Sequence, residues 1–161
     1  MGLFVGLCLR VQGGRYHLAM DFNLEIPVRF GDCDQAGIVY YPRFLHFCHT
    51  TMEELFAQVL GVPYHVAILE EQVGYPTVKV EADYRKPVGF GETIVMHASI
   101  ARLGNRSVDF LYEGVRTSDG EMAFVIRSRG VSVHMKDWHS VPMPEHHRAG
   151  FETILVPAEE A

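Results

Sequence analysis

From Phe22 to Phe30 every second residue is apolar: Phe22, Leu24, Ile26, Val28 and Phe30, with Asn23, Glu25, Pro27 and Arg29 between them. A period of two predicts a strand with one buried face. Pro27 has no N–H to donate, which puts this strand at a sheet edge or beside a bulge. The period changes after Pro42. Phe44, Leu45, Phe47, Cys48, Met52, Leu55, Phe56, Val59 and Leu60 recur every three or four residues and predict a long helix over 42–60. Pro42 suits its first turn, where a missing N–H costs nothing, and Gly61 and Pro63 stop it. Residues 64–75 are mixed, with a short helix over 65–72.

Alternation returns further on. Val78, Val80, Ala82 and Tyr84 share one face of a strand, and RKPVGFGE (85–92) is a turn. Ile94, Met96, Ala98 and Ile100 mark the next strand; Val108, Phe110 and Tyr112 mark another, which ends at TSDGE (117–121). A last strand runs from Met122 to near Met135. VPMP (141–144) breaks it, and a short helix follows over Glu145–Thr153. Strands joined by short turns pair antiparallel. A sheet with one apolar face needs cover, and only the 42–60 helix is large and apolar enough. The expected fold is α+β: a curved, five-stranded antiparallel sheet wrapped around one long central helix. Residues 1–19 begin MGLFVGLCL, apolar but short, with no basic residue ahead and no clear cleavage site. They read as an extension with little role in the fold, and residues 20–161 read as a single domain.

Bulk composition narrows the function. The chain has 161 residues, 48% hydrophobic and 21% charged, as one soluble domain would. Its net charge of −6 argues against nucleic acid, which requires an extended basic face. No apolar run reaches the ~18 residues of a membrane span. The three cysteines are odd in number and lack C-x-x-C spacing, which excludes a disulfide framework or zinc knuckle and points to the reducing cytoplasm.

The chemistry concentrates where the first strand hands over to the helix, in RFGDCDQAGIVYYPRF (29–44). Two aspartates alone would read as turn residues. A calcium hand is excluded, because loop position five is Ala36 and position twelve is Arg43. Aspartate-nucleophile phosphatases share only the D-x-D tripeptide and need a parallel α/β core. Helix N-termini carry unpaired N–H groups and partial positive charge. A carboxylate beside one can attack a carbonyl or activate water while those groups hold the oxyanion. Gly37 would let the backbone turn and approach a ligand closely.

With the strand before it and the helix after it, GDCDQAGIVYYPRF resembles the signature of hot-dog-fold acyl-CoA thioesterases of the 4-hydroxybenzoyl-CoA thioesterase type, over residues 20–136. The resemblance implies a hot-dog fold and hydrolysis of an acyl-CoA, either aromatic, such as hydroxybenzoyl-CoA, or short to medium. It implies a homo-oligomer, dimer or tetramer, with sites at subunit interfaces, and no cofactor. It makes Asp34 catalytic and Asp32 a support for the turn. It makes the Tyr41 N–H the donor that polarises the thioester carbonyl. Gly37, Tyr40 and Phe44 would line the substrate pocket. Arg106 and Ser107, and more weakly Arg102, would meet the phosphates of CoA. The hydratases of the same fold pair Asp with His five residues on; Val39 stands there, which favours hydrolysis. Two alternatives are a non-catalytic acyl-CoA-binding module and a carrier-protein thioesterase. Cys33 lies between two carboxylates that disfavour a thiolate, so its expected role is structural. Phe47, Tyr64, Tyr75 and Phe90 are further candidate pocket walls. The nine histidines, His146–His147 among them, include no H-E-x-x-H spacing, and no metal site is expected.

Overall fold

A computed structural model describes residues 3–12 and 15–156, those before Phe22 as backbone only. In chain order the elements are β1 (Leu3–Gln12), β2 (Arg15–Pro27), a 3-10 turn (Phe30–Asp32), α1 (Pro42–Leu55) with a π-helical turn after it (Phe56–Leu60), and α2 (Tyr64–Leu69). There follow β3 (Val73–Gly74), β4 (Thr77–Tyr84), β5 (Thr93–Leu103), β6 (Ser107–Arg116), β7 (Met122–Val131), β8 (Val133–His134) and α3 (Glu145–Thr153). The expected five-stranded antiparallel sheet is present, in the order β2-β5-β6-β7-β4, and β1 adds a strand outside β2. β3 and β8 pair separately.

The central helix lies in the bed its sequence demands. Phe44, Phe47, Cys48, Thr51, Met52, Leu55, Phe56 and Leu60 are buried along one stripe. The stripe meets Phe22, Leu24, Ile26, Ile94, Met96, Phe110, Tyr112 and Phe124 from the concave face of the sheet. Leu45, on the other side of the helix, stays exposed. Gly61 ends the helix in the left-handed conformation (φ 71°), which a Cβ would disfavour.

Three elements depart from the pattern in the sequence. The first strand stops at Pro27, whose pairing with Thr93 ends the ladder. Phe30, expected on its buried face, is 82% exposed in the 3-10 turn. Val28 still exchanges backbone bonds with the segment before β5, its N–H donating to the Glu92 carbonyl and its carbonyl accepting from the Gly91 N–H, and the chain then turns. The last strand breaks at Ser132, and residues 133–134 leave the sheet to pair with β3. Every residue of β4 is exposed, although Val78, Val80, Ala82 and Tyr84 alternate as expected. Among the described residues β4 is an edge strand paired with β7, and it meets α1 at its end, where Tyr84 packs on Phe44.

α3 closes the end of the barrel-like bed. Phe151 is buried against Phe56, Tyr75 and Phe110. Gly150 packs on Leu60, and a Cβ there would come within 3.0 Å of the Leu60 backbone. Beside it His147 is buried, and that burial holds its imidazole below the ordinary pKa; the His146 ring adds to the shift.

One packing contact joins the sheet to the start of the helix. A Cβ on Gly114 would collide with the Phe124 ring, which lies 4.6 Å from the Phe44 ring on the first turn of α1. Gly114→Ala is expected to lower stability by about 1–3 kcal/mol through overpacking. Urea denaturation checks it: a midpoint equal to that of the wild type would refute the contact as drawn.

Candidate active site

The 29–41 segment is built by backbone pairing. Cys33 and Val39 form a bridge, Ile38 pairs with Gly89, and the Val39 N–H donates to the Val88 carbonyl. The Tyr40 N–H donates to the Asp32 carbonyl at 2.9 Å, and the Asp34 N–H donates to the Ile38 carbonyl at 2.9 Å. Gly37, at φ 78°, makes the turn at the tip, and its N–H donates to the Asp34 carbonyl. The turn therefore leans on residues 88–91. Those are held in turn by Glu92, whose carboxylate accepts from the Gly89 N–H and from the Ser118 hydroxyl.

The two aspartates occupy different environments. Asp32 faces inward on the turn: its Oδ2 accepts from the Arg29 N–H at 2.8 Å, and its Oδ1 lies 3.8 Å from the Arg43 guanidinium. Arg43 also donates to the Gly31 carbonyl. Asp32 ties the strand end to the helix start. Asp34 is exposed, and its Oδ1 accepts from the Ala36 N–H at 2.8 Å. That bond orients the carboxylate at the tip of the turn. Partial burial, then the charges of Asp32 and Asp34, raise the Cys33 thiol pKa, which keeps it protonated and inert.

Tyr41 is the residue before α1, and Pro42 follows as the first helical residue. Its carbonyl accepts from the Phe44 N–H and from the Tyr84 hydroxyl at 3.3 Å. Among the described residues no acceptor meets its N–H, which is free to hold an oxygen. The Tyr40 and Tyr41 rings pack edge to face, 5.2 Å apart, and both are exposed. Phe44 is buried beneath them against Phe124 and Tyr84. Phe30 and Phe90, both largely exposed, form an edge-to-face pair 5.9 Å apart on the neighbouring turns. Phe47 and Tyr75 belong to the core, and Tyr64 packs on Phe56.

The candidate CoA contacts lie elsewhere. β5 starts at Thr93, beside Pro27, and ends at Leu103. At about 3.3 Å per residue its two ends stand roughly 30 Å apart. Arg102, Arg106 and Ser107 sit at the far end, so one chain does not bring them to Asp34. Arg106 donates to the Ser140 hydroxyl, and Arg102 reaches Asp109 at 3.4 Å. Asp109 already takes a two-pronged bond from Arg129 at 2.6 and 2.7 Å, which holds its carboxyl below the usual carboxylate range. Two contributors escaped sequence reasoning: Tyr84, whose hydroxyl reaches the helix start, and Glu92, which braces the supporting turn. Tyr84 read as one more apolar position in an alternating strand, and Glu92 as a turn acid.

An antiparallel sheet curved around one central helix, entered through the 29–41 turn, is the architecture of hot-dog-fold thioesterases. The family model for the thioesterase-like superfamily matches residues 28–151, and the chain belongs to that family. A 1,4-dihydroxy-2-naphthoyl-CoA hydrolase of Prochlorococcus marinus (strain MIT 9303) is 26% identical over 73% of this chain and 81% of its own length. The enzyme of the same name from Synechococcus elongatus is 32% identical over 52% of this chain and 62% of its own. Among solved structures, a thioesterase superfamily protein from Jannaschia sp. CCS1 aligns with a TM-score of 0.78 at 29% identity, covering 84% of this chain and 94% of that one. A 4-hydroxybenzoyl CoA thioesterase complexed with 4-hydroxybenzoyl CoA has the same fold, with a TM-score of 0.75 at 18% identity, over 81% and 98% of the two chains.

Proposed function

We propose that the chain hydrolyses an acyl-CoA to the carboxylic acid and free CoA at the turn carrying Asp34. The observation that carries this is one short turn that ends on α1 and holds both an exposed, backbone-anchored Asp34 carboxylate and, at the helix start, a Tyr41 N–H with no acceptor among the described residues. The thioester oxygen accepts from the Tyr41 N–H, and the helix N-terminus stabilises negative charge as the carbonyl is attacked, an effect worth ~3 kcal/mol per well-placed donor. Asp34 serves as the nucleophile or as the base that takes a proton from water. In either role the C–S bond breaks, CoA leaves as a thiolate that takes up a proton, and water supplies the acid's new oxygen. Thiolate is a good leaving group, so no serine triad is needed.

Aromatic acyl groups are the favoured substrates. Phe30, Phe90, Tyr40 and Tyr41 surround the turn with exposed rings, and the named relatives act on an aromatic acyl-CoA. The active unit is a homo-oligomer, with a second copy on β4. Arg102, Arg106 and Ser107 of one copy then serve the Asp34 turn of the other. Among the described residues no helix is long and apolar enough to cross a membrane, and the free Cys33 and Cys48 suit the cytoplasm. Release of free CoA from a panel of aromatic, short-chain and long-chain acyl-CoAs tests the proposal. Aromatic substrates should turn over with the highest kcat/KM. Binding of the whole panel without turnover would leave a binding module instead.

Residues 1–19 are an extension that this chemistry does not use. A chain beginning at Met20 is expected to melt within a few degrees of the full chain and to keep its kcat. Loss of soluble protein on that truncation would make the β1–β2 pairing a required part of the fold.

A further inference from the structure

Glu71, just after α2, meets His146 and His147 on α3. The cluster sits at the end of the sheet away from Asp34, where the Arg148 guanidinium donates to the Gly104 carbonyl. His147 is completely buried, and its Nδ1 is 2.9 Å from the Tyr75 hydroxyl. Its Nε2 is 2.9 Å from Glu71 Oε2, at ion-pair distance but out of line for a well-formed hydrogen bond. On the other side of the carboxylate, His146 Nε2 is 3.0 Å from Glu71 Oε1. The donor atoms all lie within 4.8 Å of one another.

Buried polar atoms are nearly always paired. Two that stand at contact distance but out of line share a third partner more readily than they bond each other. We propose that Glu71, His146 and His147 form a binding site for a divalent transition-metal ion, which ties α3 to the segment after α2. Tetrahedral bonds of about 2.0–2.2 Å to imidazole nitrogen and carboxylate oxygen put neighbouring ligand atoms roughly 3.4 Å apart. The two contacts, one to each oxygen of Glu71 at 3.0 and 2.9 Å, lie within a few tenths of an ångström of that spacing. A metal-bound histidine usually donates its other ring N–H to an oxygen, which fixes the tautomer. The Tyr75 hydroxyl, accepting from Nδ1–H of His147, leaves Nε2 bare and aimed at the carboxylate. Two nitrogens and a carboxylate suit Zn²⁺ and its first-row neighbours, whereas Ca²⁺ and Mg²⁺ prefer oxygen throughout. Half-exposed His146 gives the ion its entry and leaves room for water.

The cluster is invisible to spacing rules, because the histidines are adjacent and the carboxylate comes from a distant segment. It lies at the end of the sheet opposite the Asp34 turn of its own chain, and neither histidine belongs to the proposed catalytic groups. A second group joins half-buried His134 of β8 to Asp137 and His139 on the surface loop after it, and its carboxylate contacts both rings. It serves as the internal comparison.

The test is Zn²⁺ titration of the chelator-treated full chain by calorimetry, with Tm recorded at each metal concentration. Wild type is expected to take up one ion per chain with a rise in Tm. Because His147 is part of the core, the test variants are Glu71→Gln and His146→Ala, each expected to bind at least about tenfold more weakly and to lose the Tm rise. Visible absorption of the Co²⁺-loaded wild type should disappear in both. Turnover of His146→Ala should match wild type, so failure of the hydrolase proposal leaves the metal result readable. No stoichiometric uptake by wild type overturns the site. So does uptake that persists in both variants, and its loss in His139→Ala would assign the ion to the surface loop.

Discussion

Asp34→Asn is expected to lower kcat about 10²–10⁴-fold while leaving KM within a few-fold, the range set by loss of a nucleophile or general base. Asparagine preserves the shape of the turn. Its Oδ1 can still accept from the Ala36 N–H, as the Asp34 carboxylate does at 2.8 Å. The turn is otherwise held by backbone bonds from Cys33, Ile38, Val39 and Tyr40, which the substitution does not touch. The loss would therefore be chemical. Asp32→Asn is the matched control. It weakens the tie from Asp32 to the Arg29 N–H and Arg43, at a cost of about 1 kcal/mol in stability, and it leaves kcat within roughly tenfold. Thiol release from an aromatic acyl-CoA measures both. If Asp34→Asn keeps more than about a tenth of wild-type kcat, the carboxylate is not the reacting group.

Much of this was legible in the residues because each signal had one physical cause. The alternation from Phe22 to Val28 and the stripe along α1 are the two faces of one core, and both are buried apart from exposed Leu45 and half-buried Val59. The boundaries of α3, Glu145–Thr153, follow the expected helix. Spacing alone did not convey the different environments of the two aspartates, since either could have served as a turn residue. Local pattern could not convey what depends on distant partners. Phe30 continued the alternation, yet the chain leaves the sheet after Val28 and Phe30 starts the 3-10 turn. Residues 133–134 continued the last strand, yet they pair with β3, a two-residue strand no period could reveal. Tyr84 joins the site because β4 crosses beside α1, and Glu71 meets His147 because α3 folds back over the bed.

The second large effect concerns β4. Val78→Asp combined with Val80→Asp is expected to give a folded monomer with kcat/KM at least about 10²-fold below wild type. Val78 is 60% exposed and Val80 42%, on an edge strand whose outer hydrogen-bonding side has no partner among the described elements. An apolar edge of this kind is a template for another strand. A two-fold axis normal to the sheet pairs β4 antiparallel with its own copy, which is the isologous arrangement of most dimers. That operation reverses the strand direction, so the Tyr84 end of one chain lies beside the Thr77 end of the other. The Asp34 turn belongs to the first end; Arg102, Arg106 and Ser107 belong to the second. A single chain keeps these groups roughly 30 Å apart, whereas the antiparallel pair sets each Asp34 turn on the same side as the other copy's arginines. Two carboxylates per chain in the shared edge would repel and abolish pairing while leaving the Asp34 turn intact. Light scattering gives the mass and circular dichroism the fold. A monomeric double variant with wild-type kcat/KM would show that one chain suffices, and an unchanged dimer would move the interface away from β4.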